Sequence, residues 1–367
     1  MQQDLLRPQS AMFYKDKLQD IADEMVEKIE SLLDSNGETT QDTLNILHLW
    51  AFESITLIFL NSRFGALDKE KSKDAEQMTR SLDVVMTHIT NLIVGLPHWK
   101  FLPLWMCPKW FQNFDKAMET MHLIIESRIK EAIKGMKDLK SKSYEEMSVL
   151  EKMIVKNRDS GDALPIAMAE DGMLAGMDTT GNSTGFLLYH LATNIEKQEK
   201  LYQEIKSVTQ DQKGYLTEKQ LNGMKYLNAC IKECLRLTPA TLGTSRITTR
   251  DCVIGDYSVP KGTMLFQLNM IMARDKKNFN NPDDYLPERW LRENKEIENI
   301  NPFASIPFSH GPRMCVGRRF ATLEITLAII KILSKFKLEY HHEPIEPETT
   351  FVNKPDKPLK ISFLLRK

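Results

Sequence analysis

The sequence predicts a mainly α-helical fold with small β-sheets, an α+β class formed as a single domain over residues 1–367. Apolar residues recur every three or four positions through a helix-rich core at about 12–240, the period of helices that bury one face. The period then changes to alternation, so a β-rich and loop-rich region is expected over about 241–367. Glycine and proline number only 16 each, which is too few for a sandwich of many short strands.

Six long helices are expected in the helix-rich core. The first places Leu18, Ile21 and Met25 on one face and ends at the Ser-Asn-Gly turn of residues 35–37. The fifth is apolar on all sides, so we expect it to run buried through the middle of the fold. The predicted helices cover residues 12–34, 42–60, 71–94, 112–135, 162–193 and 224–237.

The last third of the chain has a different period. Residues 247–267 alternate apolar and polar side chains around Gly255 and a Pro-Lys-Gly turn, a pattern typical of a hairpin. A loop-rich stretch follows to about residue 313, and the last predicted helix covers residues 316–336. A terminal hairpin is expected after that helix.

The composition argues against several classes of protein. Lys and Arg total 49 and Asp and Glu total 50, and this net charge of -1 argues against a nucleic-acid binder. The five cysteines form no CxxC pair, so we expect neither a disulfide framework nor a zinc site, and a reducing compartment is favoured. His48 and Glu53 interrupt the most apolar stretch, residues 44–60, so no transmembrane span is expected.

An aromatic-rich segment at residues 96–111 has two interpretations. It holds three Trp, two Phe and three Pro residues. In the first interpretation, the segment is a loop that packs its aromatic side chains onto the core. In the second, it is an exposed apolar patch that makes peripheral contact with a membrane, because Trp and nearby Lys suit the membrane interface.

Cys315 differs from the other cysteines in its surroundings. It precedes the last predicted helix, where the helix dipole and free N–H groups lower the pKa of a thiol. Gly311 and Gly317 allow the backbone to approach a flat, bulky group. Arg313 supplies a cation for an anionic cofactor edge, and Phe308 shields the sulfur from water. A buried structural cysteine is the alternative interpretation.

Four motifs occur in the order found in one family. Residues 308–317 read F-x-x-G-x-R-x-C-x-G, which closely resembles the haem-binding loop of the cytochrome P450 haem-thiolate monooxygenases. The Ala-Gly-Met-Asp-Thr-Thr run at 175–180 resembles the oxygen-activating segment of their long central helix. Glu233-x-x-Arg236 resembles their E-x-x-R pair, and Pro-Glu-Arg-Trp at 287–290 resembles their P-E-R-F segment. The resemblance extends from about residue 5 to the end of the chain.

The resemblance implies a haem b cofactor whose iron takes Cys315 as its axial ligand. Arg246 would reach a haem propionate, and Gly176 would leave room for dioxygen and substrate. Thr179 would hydrogen-bond bound dioxygen, and Asp178 would help to feed protons through water. A local helix kink is the alternative role of the Asp-Thr-Thr run. The other cofactor-binding residues implied by the loop are Phe308, Gly311, Arg313 and Gly317.

The resemblance also implies a buried salt-bridge network. Glu233 and Arg236 are three residues apart on a predicted helix, so they face the same way and can pair. Arg289, from a loop, would complete a three-member network that pins the loops carrying Cys315. An exposed ion pair that contributes little stability is the alternative.

A basic cluster suggests the electron donor. Arg318 and Arg319 directly follow Gly317, a pattern that resembles the mitochondrial type, which takes electrons from a small acidic ferredoxin. Lys232 matches one of the two partner-binding lysines of that type, whereas Asn228 stands at the position of the other. Such residues would steer an acidic partner. The alternatives are a solvated basic cluster and a flavoprotein reductase as donor.

The implied function is the insertion of one oxygen atom from O2 into a lipophilic substrate, sterol-like or xenobiotic. The resemblance implies the matrix side of the mitochondrial inner membrane, with the endoplasmic reticulum membrane or the cytosol as alternatives. No targeting segment is recognisable in the first residues, and we expect the fold to lack its N-terminal part. A truncated, catalytically incompetent haem-binding or interaction protein is the alternative function, and a helical scaffold without haem is the third.

Overall fold

A computed structural model gives the structure of residues 5–135, 142–157, 161–209, 214–293 and 300–366. In these ranges a long first part of the chain is helical, and short strands follow, as the sequence predicts. The helices are α1 (Pro8–Met12), α2 (Lys15–Ser31), α3 (Thr43–Leu60), α4 (Lys73–Val94), α5 (Lys109–Gly135), α6 (Val149–Lys156), α7 (Ala163–Thr193), α8 (Ile195–Thr209), α9 (Glu218–Gly223), α10 (Lys225–Leu237), α11 (Asn269–Met272) and α12 (Arg318–Lys335).

The described strands form two-stranded antiparallel sheets. Thr244 lies opposite Gln267 in the first of these sheets, and Phe336 lies opposite Leu365 in the third. The hairpin predicted within 247–267 is present as β2 and β3, and the outer strands β1 and β4 extend beside it. The pairs are β1 (Thr244–Ile247) with β4 (Met264–Gln267), β2 (Cys252–Ile254) with β3 (Tyr257–Val259), β5 (Phe336–Glu339) with β8 (Ser362–Leu365), and β6 (Pro347–Thr349) with β7 (Asn353–Pro355).

The packing of α7 against α3 forms the centre of the core. The side chain of Asp42 caps α3 by accepting a hydrogen bond from the Leu44 N–H at 2.9 Å. The helix ends at Asn61, whose φ of 50° is left-handed. On α7, a Cβ atom at Gly172 would lie 2.6 Å from the ring of Phe59 on α3. Glycine therefore allows the two helices to approach each other closely.

Helix α3 is long and apolar enough to cross a membrane, with a mean hydropathy of 1.5, but 83% of it is buried inside the fold. Its two polar interruptions have partners within the protein. His48 Nε2 lies 2.9 Å from Asn182 Oδ1 on α7, and Glu53 accepts a hydrogen bond from Arg63 Nε at 2.5 Å. The burial of α3 and the internal partners of His48 and Glu53 are typical of a helix in the core of the fold.

The aromatic-rich segment at 96–111 forms short 3₁₀ turns between α4 and α5. Leu96, Phe101 and Trp105 are 72%, 79% and 77% exposed, so packing onto the core is the wrong interpretation for these three side chains. Trp99 instead stacks on Phe111, with ring centroids 5.1 Å apart. The segment therefore presents an exposed apolar surface next to the core.

Candidate active site

A cavity of about 330 Å³ lies between α7 and the loop that leads into α12. The loop contributes Cys315, Phe308 and Gly317 to its lining, and α7 contributes Gly176 and Thr179. We call this space the Cys315 cavity. The sequence motifs at residues 175–180 and 308–317, far apart along the chain, therefore line the same cavity.

The loop holds Cys315 by its backbone. The Cys315 N–H donates to the Phe308 carbonyl at 2.9 Å, and the N–H groups of Gly317 and Arg318 point to the sulfur. The prediction of a lowered thiol pKa is wrong for this structure. The Cys315 side chain is exposed, so the alternative of a buried structural cysteine is wrong. Desolvation by the surrounding protein is still the largest influence and raises the pKa of the thiol, while the two N–H groups and the Arg318 charge only partly oppose it.

The other residues of the loop occupy different places. Gly311 has a left-handed φ of 80°, a conformation that favours glycine, but it does not line the Cys315 cavity. A Cβ atom there would meet no described atom within 4 Å, so backbone conformation rather than close approach explains this glycine. Arg313 is exposed and lines the cavity. Phe308 and Gly317 also line the cavity.

Gly176 lines the cavity and also packs closely against α3. A Cβ atom on Gly176 would lie 2.7 Å from Cδ1 of Ile55 on α3. The space that a side chain would need is therefore filled by α3. Helix packing therefore gives a reason for the glycine in addition to the predicted one, and the predicted room for dioxygen and substrate stays a prediction.

The structure separates Thr179 from Asp178. Thr179 lines the Cys315 cavity, and its hydroxyl donates to the Ala175 carbonyl at 2.6 Å, the local side-chain-to-backbone bond of the alternative interpretation. Asp178 does not line that cavity but a groove of about 680 Å³ that also includes His48 and Asp83. Adjacent residues of a helix point about 100° apart, so Asp178 and Thr179 of α7 face two different spaces.

The groove changes the acidity of Asp178. Burial raises the pKa of this carboxyl, nearby Asp83 raises it further, and His48 and Lys354 oppose the shift. Asp178 therefore faces the groove and does not line the Cys315 cavity.

Arg246 does not reach the Cys315 cavity. It lies on β1, its side chain is exposed, and its Nη1 donates to the Ser245 carbonyl at 2.7 Å. Residues two apart along a strand lie on the same face, so Arg246 is on the face of β1 that carries Thr244, which lines the cavity. The propionate contact of Arg246 therefore stays a prediction.

Glu233, Arg236 and Arg289 form a buried network. Arg236 Nη2 donates to Glu233 Oε1 at 2.8 Å, and Arg289 Nε donates to the same oxygen at 2.9 Å. Their side chains are 0%, 0% and 2% exposed, so the exposed-pair interpretation does not describe them. Arg236 also donates to the carbonyl groups of Ala273, Pro282 and Asp284, which connects α10 to the loop that follows α11.

Trp290 belongs to this network, although the sequence analysis noted it only as a Phe replacement. Its Nε1 donates to Glu233 Oε2 at 2.8 Å, and the Leu286 N–H donates to Glu233 Oε1 at 3.0 Å. The available signal was chemical, because Trp carries an N–H donor and Phe carries none.

Lys232, Arg318 and Arg319 line one groove of about 440 Å³, together with Asn228 and the acid Glu218. We call it the basic groove. Phe308 borders both this groove and the Cys315 cavity, so the two lie on either side of the same loop. Lys232 is far along the chain from the adjacent Arg318 and Arg319, and the fold brings it into the same groove.

One cavity residue was missed by sequence reasoning. Glu324, on α12, lines the Cys315 cavity and is 3% exposed. The available signal was its spacing, since it lies four residues after Phe320 on the buried face of the last predicted helix.

The Cys315 cavity fits a thiolate-ligated haem. A single sulfur ligand faces the space, two backbone N–H groups are positioned to support that sulfur, and much of the lining is apolar. Among the described residues, no group of three His, Cys, Asp or Glu side chains could hold a metal ion. A lone cysteine ligand would suit an iron that is otherwise held by a macrocycle.

Comparisons with known proteins agree with this geometry. The family model "Cytochrome P450" matches residues 1–363. "Probable cytochrome P450 49a1" of Drosophila melanogaster is 33% identical, over 99% of this chain and 62% of its own length. "1,25-dihydroxyvitamin D(3) 24-hydroxylase, mitochondrial" of Rattus norvegicus is 31% identical, over 99% of this chain and 68% of its own length. The chain thus spans about two thirds of the length of these curated relatives.

A solved structure shows the same fold. The crystal structure of the cytochrome P450DA heme domain aligns with a TM-score of 0.81 at 20% identity, over 98% of this chain and 75% of that chain. The fold class predicted from the sequence is confirmed. The chain belongs to the cytochrome P450 family, whose cofactor is a haem iron.

Proposed function

We propose that this chain is a haem-thiolate monooxygenase that inserts one oxygen atom from O2 into a lipophilic substrate. The observation that carries the proposal is the Cys315 cavity, in which Cys315 and the α7 motif line one largely apolar space. Haem with a thiolate ligand supplies dioxygen activation, because the sulfur donates electron density that favours O–O cleavage.

The protein's own residues have separate tasks in this proposal. The Gly317 and Arg318 N–H groups hold the Cys315 sulfur in place and stabilise its thiolate. The hydroxyl of Thr179, on α7, supplies a hydrogen-bonding group to the cavity. Ile55 and Phe59 of α3 line the same cavity and favour an apolar substrate by excluding water.

The Glu233 network has a structural task in this proposal. It joins α10 to the loop residues around Arg289 and Trp290. We infer that it stabilises the haem-binding region without contacting the haem. Its five donors to Glu233 leave the carboxylate well satisfied in a buried place.

Replacement of Cys315 tests the proposed function. The purified Cys315→Ala chain is expected to lose the red-shifted Soret band of the reduced carbon monoxide complex, because no other described cysteine lines the cavity. Cys252→Ala, in β2 outside the cavity, is the matched control and should keep the band. A Cys315→Ala chain with the wild-type band would contradict the assignment, and a haem-loaded wild type without turnover would support the alternative of a non-catalytic haem protein.

We infer that an acidic ferredoxin delivers the electrons at the basic groove. Lys232, Arg318 and Arg319 outnumber the one acid, Glu218, that lines it. Several relatives carry "mitochondrial" in their names, which supports this donor class. A cationic groove beside the thiolate loop brings an acidic donor to the side of the haem away from the α7 motif.

Charge reversal at Arg319 tests this donor. Arg319→Glu should slow ferredoxin association and leave haem content unchanged, and the effect should shrink with salt because the Debye length falls from ~10 Å at 0.1 M to ~3 Å at 1 M. Lys69→Glu, an exposed residue outside the basic groove, makes the same charge change as a control. Unchanged affinity for ferredoxin would remove the support for this donor, and a flavoprotein reductase would then be tested.

We further infer a location on the matrix side of the mitochondrial inner membrane, with the segment at 96–111 as the contact. Phe101 and Trp105 are exposed there beside Lys100 and Lys109, a combination that suits the membrane interface. Wild-type chain should float with anionic vesicles, and Phe101→Asp should float less. Equal flotation of both would contradict the assigned contact.

A further inference from the structure

A loop without regular secondary structure forms one side of the Cys315 cavity. It runs from the end of α10 at Leu237 to the start of β1 at Thr244, and Ala240, Thr241 and Thr244 line the cavity. We call residues 240–244 the cavity wall. The carbonyl groups of such a loop need hydrogen-bond donors from other segments, because they belong to no helix or sheet. The position of the cavity wall therefore depends on the residues that supply those donors.

Asn353, the first residue of β7, donates twice to this loop. Its Nδ2 donates to the Pro239 carbonyl at 2.7 Å, and its backbone N–H donates to the Ala240 carbonyl at 2.9 Å. Asn353 is 0% exposed and lies 114 residues from Pro239 along the chain. One buried residue of a distant hairpin thus holds two consecutive carbonyl groups where the cavity wall begins.

The hairpin of β6 and β7 directs Asn353 toward the wall. Its chain neighbours Val352 and Lys354 line the groove that includes Asp178, and neither of them lines the Cys315 cavity. Side chains alternate along a strand, so Asn353 points away from the groove and toward Pro239. The hairpin therefore places an amide group between the groove and the cavity wall.

The amide group of Asn353 is only partly satisfied. Its Oδ1 is buried and has no hydrogen-bond partner among the described residues. The Pro239 carbonyl fixes the orientation of the amide, because only the NH2 end can donate to it. A buried acceptor without a partner reduces stability. Stability alone therefore does not account for an asparagine here, whereas the need for a donor to the loop does.

We propose that Asn353 is a positioning residue of the Cys315 cavity, which holds Ala240 and Thr241 where they pack against a bulky lipophilic ligand of the haem. Asn353 does not line the cavity, so it acts through the loop and not by contact with the ligand. This assignment rests on the proposed monooxygenase function and deepens it, because a wall held in one position selects substrates by their shape.

Two haem ligands of different size test the assignment on the haem-loaded chain. Imidazole and phenylimidazole both bind haem iron through a nitrogen atom, and absorbance titration gives the Kd of each. Asn353→Ala removes the Nδ2 donor and keeps the backbone N–H. It should weaken phenylimidazole binding about 10-fold, because a wall without this hydrogen bond packs less well against the phenyl ring. The Kd of imidazole should not change.

Asn157→Ala is the matched control. It removes an amide donor to the Met153 carbonyl at 2.8 Å, outside both the Cys315 cavity and the groove. Both Kd values and the red-shifted Soret band should remain those of wild type. If Asn353→Ala does not bind haem, Asn353→Gln replaces it. That variant keeps the donor but displaces it by one methylene group, so it should also change the ratio of the two Kd values.

A double-mutant cycle separates positioning from a general loss of stability. Thr241→Ala shortens a side chain of the cavity wall itself. If Asn353 acts through the wall, Asn353→Ala should weaken phenylimidazole binding less in the Thr241→Ala chain than in wild type. Additive effects of the two substitutions would show that Asn353 does not act through Thr241 and would overturn the assignment.

The other contrary outcomes are distinguishable. Equal changes in both Kd values, unchanged Kd values, or loss of haem from both Asn353 variants overturn the positioning role and leave the monooxygenase function standing. A wild-type chain without the red-shifted Soret band refutes the proposed function itself, and with it the role of Asn353.

Discussion

Glu233 and Glu324 are both almost inaccessible, at 0% and 3% exposure, yet their surroundings are opposite. Glu233 accepts hydrogen bonds from two arginines, one tryptophan and one backbone N–H. Glu324 accepts none from any described residue. Burial by itself therefore does not decide what a carboxyl group does, because the donors supplied by other segments decide it.

The difference separates an ionised carboxylate that is held by hydrogen-bond donors from a carboxyl group that lacks such donors. A carboxylate satisfied by fixed donors is held in place and ties together the segments that supply those donors. A carboxyl group that lacks donors stays protonated, because burial disfavours its charged form. The first kind ties together the segments that supply its donors, and the second makes no such connection.

Removal of a charged partner from Glu233 should have the largest effect. Arg236→Ala leaves a buried carboxylate with fewer donors and is expected to reduce the free energy of unfolding by about 3–5 kcal/mol and to lower haem incorporation. Urea unfolding and haem content measure both effects. Arg80→Ala, which removes an exposed arginine paired with Glu76, should change little. A soluble, fully haem-loaded Arg236→Ala chain would contradict the prediction.

Glu324→Gln should change how stability depends on pH. Burial raises the pKa of Glu324 from 4.5 to about 8, so the folded chain binds more protons than the unfolded chain between those pH values. This contribution is complete below the lower value and is lost as pH rises through about 8. At ~1.4 kcal/mol for each pH unit, its upper limit is about 5 kcal/mol, which water in the cavity reduces.

The measurement for Glu324 is the difference between the unfolding free energies of wild type and variant, taken across the range from mildly acidic to mildly alkaline pH. Wild type should lose stability relative to Glu324→Gln as pH rises, whatever constant cost the buried amide adds. Parallel pH profiles of the two chains would show that Glu324 is already ionised in the folded state.

Trp290→Phe should have the smallest of the three effects. It keeps an aromatic ring beside Phe279 and removes only the Nε1 donor to Glu233 Oε2. A hydrogen bond to a charged group contributes roughly 1.5–3 kcal/mol, and the remaining donors to Glu233 hold the loss near the lower value. Urea unfolding of the Trp290→Phe and Arg236→Ala chains measures the two losses of stability and checks their order. A Trp290→Phe chain as unstable as the Arg236→Ala chain would contradict the prediction.

The sequence predicted the long helices closely because their signals are local. Helix α7 was expected at 162–193 and is observed at Ala163–Thr193, and α4 was expected at 71–94 and is observed at Lys73–Val94. Helices α1, α6, α8, α9 and α11 were not predicted. Four of them are short, with 5, 8, 6 and 4 residues, so they carry little periodic signal. The remaining one, α8, has 15 residues, but few of them are buried apolar residues.

The sequence by itself determined the family and the chemical equipment of the site, because the four motifs combine specific residue types with specific spacing. Tertiary structure alone decided which space each side chain faces. It placed Asp178 in the groove and Thr179 in the Cys315 cavity, and it left burial as the one influence on the pKa of Glu324. It also reversed the predicted shift in the pKa of Cys315. Burial and hydrogen-bond supply depend on segments distant along the chain, and no local pattern encodes them.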